Sequence, residues 1–527
     1  MGTPAAVVPQ PPPGDPSGNG WPTFVPSASF QLRRLTSDQY VASVKSLLGV
    51  SVAGMPPIEP VSKVSGSTAI GASSAIVSSA GVGQFETAAL FLAHAAFLVP
   101  ASRQKIVPCT PTGLNDTVCF RSFVSAFGQR AFRRPLSPEE VDRYAALAAT
   151  AATSTNDVWQ GLEVTVTAFL QSPNFLYLAE VGEPDPQTPG RARYTGFEMA
   201  SRLSYFLTNN TPDDELLTVA ASGSLVTPEG VRLQAQRLLG TAGAHDALRT
   251  FFTDLLALEG LDTLNRPVQA FPGSSPTLGA ALKEQALLTL EDLVFTRNAD
   301  YREAFDQPAT FVNAELATFY GLTALSGSGF ARVSLPVGSP RAGLLGQAGV
   351  LAVHDHADGT SPTKRGLFVL TRLLCQDLAL APPANLVIPP PPTGMLTARQ
   401  RLEQHAQIAN CASCHRQMDS VGLSLEHFDA LGVYRDTDRG MAIDDSGELS
   451  GGKYKGEAGL GALIHRHPAL QPCLTQELYG VSVGHIPTEF DRQTFGSLVG
   501  AFDSSGARLL ALLSAITASD GFRFVPN

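Results

Sequence analysis

The chain has 527 residues, of which 44% are hydrophobic and 16% charged, and its formal net charge is −10. It is about three to four typical domains long, and the composition is that of a globular protein with a large core. Acidic side chains outnumber basic ones, 47 to 37, and no lysine or arginine cluster stands out. Nucleic acid and anionic membrane surfaces are therefore excluded as expected partners.

The first 30 residues are rich in proline and glycine, which predicts a flexible leader. They lack the basic and apolar regions of a signal peptide, so they fit the stub left after a signal or anchor is removed. The longest apolar run near the front, "AALFLAHAAFLV" (Ala88–Val99), has twelve residues. Since about 20 are needed to cross a bilayer, it predicts a buried core helix, and no transmembrane segment is expected.

Helix start signals recur along the chain after Phe30. Four starts carry a hydroxyl N-cap followed three residues later by a polar or acidic side chain: Thr36 with Gln39, Ser137 with Glu140, Thr195 with Glu198, and Thr211 with Asp214. Amphipathic stretches run near 161–170, 230–239, 278–295 and 365–375. Strand-like alternation over six or more residues is hard to find, so the predicted fold class is mainly α, with a multi-helical body.

A proline-rich connector follows this body, since Ala381–Gly394 holds six prolines in fourteen residues. The predicted organisation is a leader (1–30), an N-terminal helical region (31–180), a central helical domain (181–380), the connector (381–396) and a C-terminal region (397–527). Within the last region a helix over 397–410 is expected to lead straight into Cys411. Glycine- and aspartate-rich turns, with a hairpin, are expected over 436–456, and a helix near the end.

Asn410–Arg435 contains the motif C-x-x-C-H, formed by Cys411, Cys414 and His415. A thioredoxin-like redox pair would need a βαβ setting, which the helical neighbourhood does not offer. A zinc site would need further ligands, for which Cys473 and three downstream histidines are the only nearby donors. Covalent haem attachment uses all three residues at this spacing, which predicts a cytochrome c-like haem-binding region. Both thiols would bond the haem vinyl groups, and His415 would be the proximal iron ligand.

The sixth iron position has several candidates, of which His354 and Met441 rank first. Met418 is too close in sequence to His415 to reach the opposite haem face. The remaining candidates are His356, His427, His465 and His467, and each of these side chains has an ordinary surface or core role as its alternative. Arg365 and Arg435 are candidate partners of the haem propionates, although ordinary salt bridges would account for them equally well.

Haem c attachment takes place outside the bacterial cytoplasm, so the motif predicts a periplasmic, extracellular or cell-surface protein. The four other cysteines suit an oxidising compartment. Cys109 and Cys119 bracket a short loop that one disulfide could close, which would leave Cys375 and Cys473 as a second pair across the connector. The alternative for the second pair is two buried thiols.

The signatures from Leu32 to Phe524 resemble one multidomain family of exported bacterial proteins. The stretches "LRRLTSDQYVASVKSLLG", "AFRRPLSPEE", "LQSPNFLYLAEVG", "ASRLSYFLTNNTPDDELL", "TSPTKRG", "CASCHRQMDSVGLSLEHFDALGVYR" and "ITASDGFRF" are similar, in this order, to proteins built from consecutive domains of unknown function (DUF1592/1588 type), common in planctomycetes and myxobacteria. The resemblance implies an exported protein with one haem c motif in its C-terminal third.

Carried over residue by residue, the family's haem attachment site falls on Cys411, Cys414 and His415. The segment after it matches at Asp419, Gly422, Glu426, Phe428, Asp429, Gly432 and Arg435. The chain departs from the family at Ser420, where proline is usual, and at Thr208 and Asn209, where Leu-Trp is common. A single C-x-x-C-H argues against several haems in one chain.

Two classes of function follow. The first is an exported haem c redox protein, either a haem-dependent oxidoreductase of the peroxidase or oxygenase kind or a one-electron transfer protein, with a redox partner or small-molecule substrate. The long helical body favours the oxidoreductase, because an electron carrier rarely needs one. The second is a cell-surface binding or scaffold protein with a structural or sensory haem. No Ser-His-Asp set, phosphate-binding loop or H-E-x-x-H motif points to other chemistry. The substrate and the oligomeric state are left open.

Overall fold

The computed structural model describes residues 31–323, 327, 329–378, 396–407 and 409–525. The predicted leader and residues 381–395 of the predicted connector lie outside this part of the chain. The helices, in chain order, are α1 Ser37–Leu48, α2 Thr68–Gly71, α3 Ser79–Leu98, α4 Pro100–Ile106, α5 Thr117–Phe132, α6 Pro138–Thr155, α7 Val158–Gln171, α8 Pro173–Leu176, α9 Gly196–Thr208, α10 Asp214–Ala221, α11 Pro228–Leu239, α12 Ala242–Leu255, α13 Leu278–Glu291, α14 Ala314–Phe319, α15 Ala348–Ala352, α16 Pro362–Phe368, α17 Ala398–His405, α18 Ala409–Gly422, α19 Gly456–His465, α20 Leu470–Val483, α21 Arg492–Ser504, α22 Leu509–Ala518 and α23 Asp520–Arg523.

The strands are short and form two-stranded antiparallel ribbons. They are β1 Gln31–Arg34 with β2 Tyr177–Glu180, β3 Glu183–Pro184 with β4 Ala192–Arg193, β5 Ala309–Val312 with β6 Ala331–Ser334, β7 Thr437–Asp438 with β8 Met441–Ala442, and β9 Ser446–Leu449 with β10 Gly452–Lys455. The mainly α fold class is therefore confirmed. The glycine- and aspartate-rich segment behind the cysteine motif forms two hairpins, β7–β8 and β9–β10, as its turn composition predicted.

The described chain divides into two compact units by its contacts. The motif unit comprises Phe251–Glu477 and Phe495–Leu512. The N-terminal unit comprises residues 31–250, Leu478–Thr494 and 513–525. The domain boundaries inferred from sequence stay predictions.

Three of the four predicted helix starts are confirmed as complete capping boxes, at Thr36, Ser137 and Thr195. The fourth prediction was wrong by two residues. Asp213, rather than Thr211, caps α10, because its carboxylate accepts a hydrogen bond from the Leu216 amide at 2.8 Å. An aspartate carboxylate is among the strongest N-cap groups, and proline at the preceding position holds the chain extended.

The helix predicted to run from 397 into Cys411 is also different. Helix α17 ends at His405, and Ala406 is its C-cap. Cys411 lies inside a separate helix, α18, which extends to Gly422. The whole C-x-x-C-H motif is therefore helical, and the chain near its end forms α22 as expected.

The core of the N-terminal unit is built from aromatic side chains between α5, α6 and α7. The Tyr144 and Phe169 rings are stacked with centroids 4.1 Å apart, and Phe132 meets Phe169 edge-on at 5.1 Å. Such contacts stabilise beyond the apolar area that they bury. Beside this core the buried Glu180 carboxylate pairs with Arg202 at 2.6 Å and also with Arg33.

The apolar run Ala88–Val99 lies in α3, and only one of its faces is buried. Leu92 and Phe97 are in the core, whereas Leu90 is 52% exposed and Leu98 is 68% exposed. The prediction of a core helix therefore holds for half of its surface. Among the described residues, no helix taken singly is long and apolar enough to cross a membrane; Thr68–Ser74 and Ser79–Leu98 meet the length and composition test only as a pair, bent by 116°.

Both predicted disulfides are present. Cys109 pairs with Cys119 in the N-terminal unit, and Cys375 pairs with Cys473 in the motif unit. The second bond joins the ends of a 98-residue span that includes the predicted connector and the C-x-x-C-H motif. It holds α18 in one covalent loop whatever the conformation of the connector.

We expect the two disulfides to differ in their contribution to stability. The loops span 10 and 98 residues, so the loss of chain entropy predicts about 3 kcal/mol for Cys109–Cys119 and about 5 kcal/mol for Cys375–Cys473. Urea unfolding of the two alanine double variants, Cys109→Ala/Cys119→Ala and Cys375→Ala/Cys473→Ala, measures both. An equal loss, or a larger loss for the short loop, would contradict this ranking.

Candidate functional site

Helix α18 places Cys411, Cys414 and His415 at positions i, i+3 and i+4. These positions share one helix face. Cys414 and His415 are both half-buried, so they are accessible from that side. We call the helix face that carries these three sequence positions the motif face.

Helix α16 packs directly against α18 through two glycines. A Cβ atom on Gly366 would overlap the Met418 carbonyl oxygen, and one on Gly422 would overlap the Pro362 carbonyl oxygen. The two backbones therefore touch with no side chain between them, which only glycine permits at both points. This crossing fixes the position of the motif face relative to α16.

A chain of hydrogen bonds joins α16 to His415. The Thr363 hydroxyl donates to Asp419 Oδ1 at 2.6 Å, and Asp419 Oδ2 lies 3.1 Å from His415 Nδ1. Asp419 is buried. An ionised carboxylate can only accept, so Nδ1 of a neutral His415 carries the proton and Nε2 keeps its lone pair. The Thr363–Asp419–His415 chain thus sets the imidazole tautomer, with the lone pair on Nε2.

Arg365, the next position but one on α16, holds the segment that follows the motif. Its guanidinium is fully buried, pairs with Asp355 at 2.6 Å, and lies 3.9 Å from a Glu426 carboxylate oxygen. It also donates to the backbone carbonyls of Leu425, Phe428 and Asp429 at 2.7–3.0 Å. A single buried arginine therefore shapes the turn after α18.

The same turn is closed by residues that match the family signature. Asp429 Oδ1 accepts from the amides of Leu431 and Val433 at 2.9 Å. Gly432 has φ +83° and lies against Ala348, where a Cβ would clash. The signature residues after the motif thus bend the chain, and the close approach explains why glycine stands at 432.

The two arginines predicted to meet haem propionates are engaged by protein groups. Arg435 donates to the Glu426 carboxylate at 2.8 Å and lies 3.4 Å from Asp438. Arg365 is enclosed by the partners described above. These contacts are the ordinary salt bridges that the sequence left as the alternative, and they do not support a propionate role for either side chain.

His354, one of the two leading sixth-ligand candidates, packs against Phe368 of α16. Its ring stacks on Phe368 with centroids 4.1 Å apart. Phe368 is two residues, about 200° around the helix, from Gly366, which faces α18. Burial, with the nearby Arg365 and Lys364 charges, lowers the pKa of His354 to about 3. Nε2 is buried without a hydrogen-bond partner in the described part of the chain.

Met441 and the remaining histidines are placed as follows. Met441 is half-buried at the start of β8, where its backbone pairs with Asp438. His427 Nδ1 lies 2.8 Å from the Arg435 carbonyl, and its ring stacks on Tyr434. His356, His465 and His467 lie next to Lys364, Asp306 and Ser450 respectively. The identity of the sixth ligand stays a prediction.

The residues on the motif face fit covalent haem c at its proximal side. Two cysteines at the attachment spacing are followed at once by a histidine whose second ring nitrogen is held by a carboxylate, as metal-ligating histidines usually are. Among the described residues no group of three or more His, Cys, Asp and Glu side chains forms a metal site. Haem attachment needs no such group, since thioether bonds and one imidazole suffice.

Three family models match consecutive parts of the chain. They are PSD5, protein of unknown function (DUF1595), at 119–180; PSD4, protein of unknown function (DUF1592), at 194–322; and PSCyt3, protein of unknown function (DUF1588), at 341–438. No curated protein and no solved structure matches the chain significantly.

The fold and the motif face define a mainly helical protein built from consecutive domains, with one C-x-x-C-H helix. The three matches together cover more than half of the 527 residues. The chain belongs to the multidomain family in which DUF1595, DUF1592 and DUF1588 domains follow one another. The match at 341–438 contains both α16 and α18, so the glycine crossing and the hydrogen-bond chain lie within one family domain.

Sequence reasoning missed Thr363 and the role of Asp419. The His415–Asp419 pair is visible in the sequence as an i, i+4 spacing on a helix, which brings the two side chains together. The pairing of "TSPTKRG" with the motif helix has no such local signal, because Thr363 and Asp419 are 56 residues apart.

We expect Gly422→Ala to destabilise the motif unit. The added methyl must displace the Pro362 carbonyl at the helix crossing, and such overpacking costs about 1–3 kcal/mol. Gly500→Ala on α21 is the matched control, since a Cβ there meets open space. It should stabilise its helix by about 0.5–1 kcal/mol. Urea midpoints of both variants test this, and a Gly422→Ala midpoint at or above that of the unmodified protein would refute the close crossing.

Proposed function

We propose that this protein is an exported c-type haem protein, with Cys411 and Cys414 as the attachment thiols and His415 as the proximal ligand. The observation that carries the proposal is the Thr363–Asp419–His415 chain beside the two cysteines on one helix face. The name of the matching model at 341–438, PSCyt3, also suggests a cytochrome-like domain.

The roles of the chain's own residues follow from their contacts. Asp419 holds the His415 ring in one tautomer and orientation, so that Nε2 points away from its hydrogen-bonded side. Ser420 fastens the next turn of α18 to β9, because its hydroxyl accepts from the Glu448 amide at 2.9 Å and lies 3.2 Å from the Glu448 carbonyl. Haem c, when bound, would supply a one-electron iron couple.

A redox role is favoured over a purely structural haem. Cys414 and His415 are half-buried on the surface of α18, so this face of the helix is within reach of a redox partner or a small molecule. Catalysis of the peroxidase or oxygenase kind would further require an accessible sixth position. A haem-dependent oxidoreductase is our preferred form of the proposal, and one-electron transfer is the simpler form.

Export follows from the same proposal, since covalent haem attachment of this type takes place outside the bacterial cytoplasm. The two disulfides are compatible with an oxidising compartment such as the periplasm or the cell surface. A redox partner and a small-molecule substrate are the expected interactors.

The test uses the full chain matured in a host with the haem attachment machinery. We expect a c-type reduced spectrum and haem that stays on the polypeptide after denaturation. Cys411→Ala/Cys414→Ala should abolish the covalently retained haem, and His415→Ala should shift the spectrum by removing the proximal imidazole. His94→Ala, at an exposed histidine of α3 that lies beside Glu163, is the control and should leave both readouts unchanged.

Carbon monoxide binding distinguishes a haem-dependent oxidoreductase from an electron carrier or a scaffold protein. Rapid binding to the reduced protein would show an accessible sixth site and support an oxidoreductase. A spectrum unchanged by carbon monoxide would show two firm protein ligands, as in an electron carrier or in a scaffold with a structural haem. The absence of haem from protein made in a competent host would overturn the proposal.

A further inference from the structure

The hydrogen-bond chain behind His415 begins at a hydroxyl and ends at an imidazole, with a buried carboxylate between them. A carboxylate acceptor makes an imidazole a stronger donor to a metal than a neutral acceptor does. The Thr363 hydroxyl opposes this, because a hydrogen bond donated to Asp419 draws negative charge away from the carboxylate. Asp419 on α18 and Thr363 on α16 therefore have opposite effects on how strongly the His415 imidazole would donate electrons to a metal.

Resting on the function proposed above, we infer that the Thr363–Asp419–His415 chain sets the reduction potential of this site. Asp419 is a positioning residue that acts through His415, and it stabilises the oxidised iron, which carries one more positive charge than the reduced iron. Its burial strengthens the effect, since water does not screen the carboxylate. The site is thereby biased towards a low potential, which suits a protein that gives electrons up.

The prediction from this inference is a pair of opposite shifts. Asp419→Asn keeps the shape and removes the charge, so the midpoint potential should rise. Loss of a partner that orients a metal-ligating histidine typically costs about 10–100-fold in metal affinity or activity. We expect the preference of the site for oxidised iron to fall about tenfold, which for one electron is a rise of about 59 mV. Thr363→Val removes the opposing hydroxyl, so the potential should fall. Optical redox titration of the haem-loaded protein measures both.

Gln417→Ala is the matched control, because Gln417 is an exposed residue of the same helix whose side-chain amide donates to the Ser413 carbonyl. It should leave the potential within the error of the titration. A normal haem content with an unchanged potential in Asp419→Asn would overturn the inference while leaving the proposed function intact. Equal shifts of the same sign in all three variants would also overturn it, because they would indicate a general loosening of α18. A wild-type chain without haem would refute the proposed function instead.

A second inference rests on a different feature, in the N-terminal unit. A pocket of about 580 Å³ opens over the β1–β2 ribbon. Leu32 and Ala179 face each other across the two strands, and Leu32 is 46% exposed and Val181 55% exposed. Phe197 and Tyr177 line the same pocket. Its size and its mainly apolar lining are those of a small-molecule site.

The charged groups in the pocket lining are all paired within the protein. Arg133 donates to the carbonyls of Asn174, Phe175 and Tyr177 at 2.6–3.1 Å. Arg134 forms two hydrogen bonds with Glu140. These contacts stabilise the turn between α7 and β2. Both guanidinium groups therefore already have hydrogen-bond acceptors within the protein.

The two lining carboxylates are satisfied as well. Glu198 accepts from the amides of Val181, Gly182 and Thr195 at 2.8–3.0 Å. Glu180 is held between Arg33 and Arg202. A charged ligand would therefore find no counter-charge here, and burying its charge unpaired would be costly. The geometry points to a binding site for a neutral, largely apolar small molecule.

The probe for this site is N-phenyl-1-naphthylamine, a neutral aromatic fluorophore, and its comparison is the related sulfonate 1-anilinonaphthalene-8-sulfonate. We expect the full chain to bind the neutral probe at least tenfold more tightly than the anion. Ala179→Trp should fill the pocket and weaken binding of the neutral probe at least tenfold. Ala146→Trp, at an exposed position of α6 in the same unit, should leave it unchanged.

Four results would overturn this second inference. Three of them are neutral-probe binding that Ala179→Trp does not affect, a preference for the anion that Ala179→Trp abolishes, and the absence of binding. The fourth is binding that appears only after deletion of residues 1–30, since the occupant would then be the chain's own leader. None of these results depends on haem.

Discussion

The contact on which the functional region depends is the glycine crossing of α16 and α18. Because Gly366 and Gly422 let the two backbones touch, the side chains beside the crossing meet at hydrogen-bond distance rather than across a layer of packing. Thr363 can therefore reach Asp419, and Asp419 can hold His415. A single methyl group at either glycine would separate the helices, and the chain of hydrogen bonds would lose its first link.

The family signatures have two different structural roles around this helix crossing. Cys411, Cys414 and His415 form the motif face, whereas "TSPTKRG" and the residues from Asp419 to Arg435 support it. In the interior, the Arg365 guanidinium donates hydrogen bonds to three backbone carbonyls and pairs with the Asp355 carboxylate. A buried charge of this kind needs an opposite charge beside it, and losing Asp355 would leave the Arg365 guanidinium poorly compensated. The signature residues outside C-x-x-C-H thus mainly support helix α18.

The sequence predicts those features that depend on local chemistry. Capping boxes at Thr36, Ser137 and Thr195 follow from three-residue spacing, and both disulfides follow from the count and placement of the cysteines. The wrong helix start arose where neighbouring residues compete, since Asp213 caps α10 in place of Thr211 and is the stronger cap. The ion pairs of Arg365 and the stacking of His354 on Phe368 depend on tertiary contacts, for which sequence spacing gives no signal.

The arrangement also explains how a motif so near a proline-rich stretch can be held in place. Helix α18 is fixed by Thr363 of α16 on one side and by Glu448 of β9 on the other. The Cys375–Cys473 bond closes a loop that contains α18 and β9. The motif helix is therefore held both by hydrogen bonds from two neighbouring elements and by a covalent loop closure.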